Sequence, residues 1–133
     1  MAIRNFTPNV TRSMRRQATM AVEALARSTE RNAKISILRG PKSGERYRVP
    51  GTSRFYTASA PGQAPAPRTG DLANSIYTRV PGLYKAEVGS ELKYSRIEFG
   101  YGRAAPRPYL RPANDKTLRE KQRIIAAALR NVR

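Results

Sequence analysis

The sequence contains no cysteine, no histidine and no tryptophan. Without cysteine there is no disulfide framework and no thiolate metal site. Without histidine as well, the Ser–His and Cys–His pairs of nucleophilic catalysis and most zinc sites are excluded. The nine acidic residues include no close pair with the spacing of metal ligands. We therefore expect no enzyme, no metal and no cofactor, and we interpret the chain as a binding or structural protein.

Long apolar runs are also missing. No stretch approaches the ~20 apolar residues that a membrane-spanning helix needs. The first five residues lack the apolar region of a signal peptide. The sequence thus predicts no membrane partner, and a product of the cytoplasm that either stays there or joins a particle.

Acidic residues are few compared with basic ones. The chain has 26 Lys and Arg against 9 Asp and Glu, which gives a net charge of +17. Residues 1–48 carry +8, residues 49–93 carry +2 and residues 94–133 carry +7. Such a surface favours a polyanion or an acidic protein as partner, although a solvated basic face has the same composition.

Apolar residues at helical spacing predict a helix over about residues 8–34, after an N-terminal arm of residues 1–7. Thr7 and Pro8 suit the N-cap and the first helical position. The apolar stripe consists of Val10, Met14, Ala18, Ala21, Val22, Leu25, Thr29 and Ala33. The opposite face carries Arg12, Arg15 and Arg16, our candidate contacts with DNA or an acidic partner. Solvation with i,i+4 ion pairs accounts for this face equally well.

The middle of the chain has the features of short strands and turns. Residues 35–38 and 47–49, separated by a glycine- and proline-containing turn, predict a first hairpin. Residues 76–80 and 83–90 alternate apolar and polar around Pro81 and Gly82, and predict a clearer second one. Between them, Asp71 is expected to cap a short helix that reaches Ile76.

Residues 50–70 are rich in proline, glycine and alanine, and we predict a long extended loop there. Phe55 and Tyr56 are its informative residues. An aromatic pair in a polar loop is typical of an anchor on a partner. The alternative is that the pair folds back onto the chain's own sheet.

The stretch from residue 94 to residue 113 has two parts. Residues 94–99 suit one helical turn closed by Gly100, which we predict, although Ile97, Phe99 and Tyr101 would also suit a strand. Pro108 and Pro112 then bracket a stiff connector, because prolines fix φ and push the preceding residue toward extended conformations. We expect Leu110 to be buried, and Asn114 or Asp115 to cap a last helix that reaches about residue 131. Its predicted apolar stripe is Leu118, Ile125, Leu129 and Val132.

Glu98 is the notable charge in this stretch. Several arginines surround it in sequence: Arg96, Arg103, Arg107 and Arg111. A carboxylate among arginines predicts a structural ion pair rather than a catalytic group.

Taken together, these patterns predict one α+β domain over residues 1–133. It has a long N-terminal helix, a small antiparallel sheet of about four strands, a C-terminal helix and a long Pro/Gly-rich loop. From the residues alone, the function goes no further than binding or structure.

Two segments resemble the neck or tail-completion proteins of long-tailed bacteriophages. That family carries Tyr-Ala-x-x-x-Glu-Phe-Gly-Thr followed by Pro-Phe-Leu-Arg-Pro-Ala before a C-terminal helix. The matching residues here are Tyr94, Glu98, Phe99, Gly100, Pro108, Leu110, Arg111, Pro112 and Ala113. Ser95, Tyr101 and Tyr109 stand where the family has Ala, Thr and Phe. Residues 61–65 and 68–76 also resemble its Pro-Gly-x-x-Pro and Thr-Gly-x-Leu-x-x-Ser-Ile.

The resemblance implies a virion protein of the neck, made in the host cytoplasm. Such proteins form closed rings, commonly sixfold, around the channel through which the genomic DNA passes. The implied partners are further copies of the chain, head-closure or connector proteins, and tail-terminator or tail-tube proteins. The implied contact candidates are Phe55, Tyr56, Arg96, Glu98, Arg107, Tyr109, Leu110 and Arg111. The alternative is a basic nucleic-acid-binding protein, which the net charge alone supports.

Overall fold

The computed structural model describes residues 7–130 and has an α+β architecture. The chain order is α1 (Thr7–Arg39), β1 (Arg46–Arg48), β2 (Phe55–Thr57), α2 (Asp71–Ser75), β3 (Tyr77–Gly82), β4 (Lys85–Gly89), a 3₁₀ helix (Lys93–Glu98), α3 (Leu110–Arg119) and α4 (Lys121–Leu129). The predicted N-terminal arm, apart from Thr7, lies outside the described residues. No helix in the described part of the chain is long and apolar enough to cross a membrane.

Helix α1 is longer than predicted, because it includes the segment that we assigned to a strand. Thr29, Ala33 and Ile37 are buried at intervals of four, so Ile37 continues the apolar stripe of the helix. The helix ends at Arg39, and at the next residue, Gly40, a Cβ atom would come within 2.3 Å of the Ser36 carbonyl oxygen. Lys42 donates to the carbonyl oxygens of Ser36 and Gly40, and the Gly40 N–H also donates to that of Ser36.

The four strands form two separate two-stranded antiparallel sheets rather than one sheet. The first hairpin pairs β1 with β2, so Phe55 and Tyr56 belong to a strand within the segment that we predicted as loop. The second pairs β3 with β4 and confirms the prediction for residues 76–90. Its turn is displaced from Pro81-Gly82 to Leu83 and Tyr84, and Tyr84 has a positive φ of 61°.

The helices after the strands differ from the prediction mainly at their ends. Asp71 is the first residue of α2, and its N-cap is Gly70, with no side-chain cap. The C-terminal helix starts at Leu110, four residues before Asn114, and it is interrupted at Glu120. On α3 the buried residues are Ala113 and Thr117, whereas Leu118 of the predicted stripe is 48% exposed. Val132 lies outside the described residues.

The core lies between the C-terminal half of α1, the two short helical segments and α3. It contains Ala33, Ile37, Leu72, Ala73, Ile76, Ile97, Tyr109 and Ala113. A polar contact joins α1 to α3 within it: the hydroxyls of Thr29 and Thr117 lie 3.0 Å apart, and the Asn32 amide donates to Thr117 at 3.2 Å. The core therefore holds the 3₁₀ helix and the start of α3 in a fixed relation.

The β3–β4 hairpin is attached to the side of α1. The Thr78 hydroxyl donates to a Glu30 carboxylate oxygen at 2.6 Å, and Lys34 donates to the other oxygen at 2.8 Å. Burial would raise the pKa of Glu30, but these two hydrogen bonds together with the positive charges of Lys34 and Arg27 outweigh it and lower that pKa. Near the turn, the Tyr84 N–H donates to the Thr19 hydroxyl.

Candidate contact site around Glu98

The Glu98 carboxylate caps the N-terminus of α3. One oxygen accepts from the backbone N–H of Tyr109 at 2.6 Å and of Leu110 at 2.9 Å, and the other accepts from the N–H of Arg111 at 2.9 Å. A helix leaves its first four N–H groups without an intrahelical partner. Glu98 binds three of them, and the fourth position is Pro112, which has no N–H. The carboxylate also lies at the positive end of the helix dipole.

This arrangement corrects the predicted ion pair. Glu98 is only 7% exposed and forms no salt bridge with any lysine or arginine of the described residues. The three backbone donors satisfy both of its oxygens from within the fold. The neighbouring arginines in sequence therefore do not pair with Glu98.

The local backbone explains how Glu98 reaches a helix that begins twelve residues later. The 3₁₀ helix predicted as a helical turn ends at Glu98, and Gly100 follows with φ of 102°, a conformation that favours glycine. A short bridge between Tyr101 and Ala104 reverses the chain. On its return, the Arg107 N–H donates to the Ile97 carbonyl oxygen at 2.8 Å. The connector is thus laid directly alongside the segment that carries Glu98.

Tyr109 anchors the connector in the core. It is fully buried, and its hydroxyl donates to the Ser95 carbonyl oxygen at 3.0 Å. Burial, and secondly the negative charge of Glu98, raises the pKa of Tyr109 to about 12. Two independent hydrogen bonds, one from its N–H and one from its hydroxyl, therefore tie this residue to the 3₁₀ helix.

Arg107 binds the proline-rich segment that follows β2. Its guanidinium donates to the Ser59 hydroxyl at 2.9 Å, to the Ser59 carbonyl oxygen at 3.3 Å and to the Ala105 carbonyl oxygen at 2.7 Å. Beside it, the Gly62 N–H donates to the Pro106 carbonyl oxygen. Arg107 therefore acts inside the chain, although we had placed it among the contact candidates.

The predicted contact residues fall into two groups. Glu98, Arg107 and Tyr109 are used within the chain and shape the connector, and Leu110 is half-buried against the core. The exposed ones are Phe55, Arg96 and Arg111, while Tyr56 is half-buried. Arg12, Arg15 and Arg16 are exposed on α1, distant in sequence from this site. Hydrogen bonds thus join Glu98 to Tyr109, Leu110 and Arg111, and Tyr56 lines one cleft together with Arg107.

Phe99 is exposed at the surface and was not among the predicted contact residues. It is 75% exposed, although its neighbours Glu98 and Gly100 both have structural roles. It lines a shallow groove of about 470 Å³ together with Glu98, Pro106, Pro108, Arg111, Pro112, Asp115 and Arg119. The pattern of apolar residues did not predict this exposure, because an aromatic residue beside a helical turn is more commonly part of the core.

A second, larger cleft of about 710 Å³ separates the β1–β2 hairpin from the core. Its walls include Tyr47 and Tyr56 on one side and Ile37, Leu72 and Ile97 on the other. No group of three or more Asp or Glu that is arranged to hold a metal ion occurs within residues 7–130.

Comparison with known proteins adds no relative. No protein-family model, no curated protein and no solved structure matches this chain.

Proposed function

We propose that this chain is a structural protein of a phage neck, which assembles as a closed ring and completes the tail end or joins the head connector to the tail. The Glu98 cap is the observation that carries the proposal. The two halves of the motif that resembles this family are joined by that one carboxylate. Three other residues of the motif have a role in the same unit. Gly100 adopts a positive φ, Leu110 donates its N–H to Glu98, and Pro112 has no N–H that would need an acceptor.

The capped unit supports a role in assembly because it presents an aromatic side chain on a rigid base. Buried aromatic anchors contribute most of the binding energy at many protein interfaces. Phe99 follows a 3₁₀ helix that is fixed by Glu98 and Tyr109, so little conformational entropy is lost when it binds. We assign its groove to the contact with a neighbouring copy in the ring. Arg111, Arg119 and Asp115 supply both signs of charge around it.

The proposal is tested in particles. In a phage that encodes this chain, its gene is deleted and then supplied in trans as the wild type. We expect electron microscopy of the deletion lysate to show separate heads and tails, with joining restored by the wild-type gene. We also expect mass spectrometry to detect the chain in purified particles. Joined, infectious particles without the gene would overturn the proposal.

A dedicated nucleic-acid-binding protein is the second candidate, which the net charge of +17 and the exposed arginines favour. The two candidates differ in how DNA affinity relates to joining. Removing Arg12, Arg15 and Arg16 together should weaken DNA binding, whereas removing Arg96 and Arg111 should impair joining. If joining instead falls in proportion to DNA affinity in both variants, the second candidate replaces the first.

A further inference from the structure

The β1–β2 hairpin separates its charges between its two faces. Directly opposed residues of an antiparallel pair share a face, so Arg46, Arg48, Phe55 and Thr57 lie on one side and Tyr47 and Tyr56 lie on the other. The Tyr47 side borders the cleft toward the core. All four residues of the first side are exposed to solvent, and we call it the outer face.

The outer face presents two arginines that are held in place by an aromatic ring. The guanidinium carbons of Arg46 and Arg48 lie 4.7 Å and 5.4 Å from the centre of the Phe55 ring. Cation–π contacts of this kind restrict the arginine side chains without using their N–H donors. Neither guanidinium has a carboxylate partner among the residues that the structure describes. Both therefore keep their hydrogen-bonding capacity for a ligand.

The one carboxylate in this ribbon is kept away from that face. Glu45 accepts a hydrogen bond from the Tyr47 hydroxyl at 2.8 Å. This contact raises the pKa of Tyr47, first through the hydrogen bond and then through the negative charge. Because Glu45 precedes Arg46 and joins Tyr47, its charge belongs to the side that borders the cleft. The outer face is thus positive with no compensating acid.

We infer that the outer face of the β1–β2 hairpin, through Arg46 and Arg48 arranged over Phe55, binds the phosphodiester backbone of nucleic acid without reading its sequence. Arginine forks match phosphate oxygens in geometry. Two arginines on one face of a strand are roughly 7 Å apart along the chain, which suits two separate phosphates on one strand. The inference does not depend on the neck proposal.

Two features favour nucleic acid over an acidic protein and a backbone contact over base stacking. A protein interface needs an apolar centre from which water is excluded. Here the apolar surface is one ring, 49% exposed, with two guanidiniums against it, which is too little for such a centre. An unpaired base that stacks on Phe55, the usual mode of single-strand binding, would have to compete with those guanidiniums for the ring. Duplex DNA should therefore bind at least as well as a single strand.

The test compares two full-length variants of equal charge by fluorescence anisotropy with a random-sequence duplex. One is Arg46→Gln with Arg48→Gln, and the matched control is Arg103→Gln with Arg130→Gln, two exposed arginines outside the hairpin. We expect the hairpin variant to bind roughly tenfold more weakly near physiological salt. We also expect its slope of log K against log salt to be shallower by about 1.8, at ~0.9 for each lost phosphate contact. Equal losses in both variants would overturn the inference.

Two further measurements separate the alternatives. Phe55→Leu keeps the charge and removes the ring, so it should weaken duplex binding by a smaller factor than the double variant. A poly-glutamate chain of matched length should compete poorly with the duplex. If it binds as tightly and depends equally on Arg46 and Arg48, the face belongs to an acidic protein and the inference fails. Tighter binding of a single strand that is lost in Phe55→Leu would overturn the backbone mode.

Discussion

Charge is used in opposite ways in two regions: the junction, where Glu98 joins the 3₁₀ helix to the start of α3, and the β1–β2 hairpin. At the junction a single carboxylate is buried, and its oxygens are occupied by three backbone donors. On the hairpin, two guanidiniums are exposed and contact only a ring of their own chain. A buried charge must be fully satisfied, so it fixes a structure. An exposed charge that is held but not neutralised remains available for a partner.

The largest effect should come from breaking the junction. Glu98→Ala leaves the N–H groups of Tyr109, Leu110 and Arg111 without an acceptor, so we expect it to lower the free energy of unfolding by about 3–5 kcal/mol. Glu98→Gln keeps the volume and one carbonyl, and should recover only part of that loss. Both are measured by urea denaturation followed by circular dichroism.

The control for this variant is Glu87→Ala. Glu87 is an exposed carboxylate on β4, 3.7 Å from Lys85, and its loss should change stability by less than about 0.5 kcal/mol. Similar costs for Glu87→Ala and Glu98→Ala would mean that the cap does not stabilise the fold.

The sequence identified the elements on both sides of this comparison more reliably than it identified their contacts. The second hairpin and the helical turn before Gly100 followed from alternation and from turn residues, and both are confirmed. The cap could not be predicted, because it depends on a chain reversal that brings Glu98 to a helix start twelve residues later. Nearby arginines in sequence suggested an ion pair, whereas backbone geometry determined the real partners.

The errors at α1 and β2 have a common cause. Residues 35–38 contain β-branched residues that favour strands, but tertiary burial of Ile37 in line with Ala33 kept them helical. Phe55 and Tyr56 have strand-forming side chains, yet the surrounding prolines and glycines predicted a loop. In both places a contact with another segment decided the structure: Ile37 packs in the core with residues distant in sequence, and β2 pairs with the nearby β1. Local composition was therefore a weak guide.

High pH should weaken the junction through Tyr109. The tyrosine pKa is near 10 in the unfolded chain and about 12 in the folded one, so the unfolded state releases its proton first. Stability from this group is complete below about pH 10 and is lost as the pH rises to about 12. We expect this group to contribute a loss on the order of 1–2 kcal/mol.

Tyr109→Phe removes the titrating group and serves as the reference for this pH profile. The lysines and the other tyrosines titrate equally in both proteins, so the difference between the two curves isolates Tyr109. The junction argument predicts that the curves converge between pH 10 and pH 12. Parallel curves across this range would contradict it.

A smaller effect is expected where α3 meets α1. Thr117→Val removes the acceptor of the Asn32 amide and the partner of the Thr29 hydroxyl. Thr29 retains its hydrogen bond to the Leu25 carbonyl oxygen, so the cost should be only about 1 kcal/mol. The matched control is Thr57→Val on the exposed outer face of the hairpin, which should be neutral or slightly stabilising by thermal denaturation. An equal loss of stability at both positions would show that the contribution of Thr117 to stability does not come from its buried polar contact.

The smallest effect on stability, and the sharpest test of the junction as a contact site, is expected at Phe99. Its side chain is three-quarters exposed, so Phe99→Ser should change the free energy of unfolding by no more than about 0.5 kcal/mol. If the rigid junction exists to present this ring, the same variant should enter particles about tenfold less well or worse. A hot-spot residue costs ~2 kcal/mol, and each ~1.4 kcal/mol is a factor of ten in affinity.

Leu83→Ser is the matched control for Phe99→Ser, because Leu83 is an apolar residue that is 58% exposed, in the turn of the β3–β4 hairpin. Both variants are supplied in trans to a phage that lacks the gene, and the amount of each chain per particle is measured by mass spectrometry. Normal incorporation of Phe99→Ser would remove the groove from the proposed ring contact. The Glu98 cap would then serve folding alone. Equal losses of incorporation for both variants would point to a general sensitivity to lost apolar surface. A loss of incorporation for Phe99→Ser alone would mean that the buried Glu98 carboxylate and the exposed Phe99 ring act together in assembly.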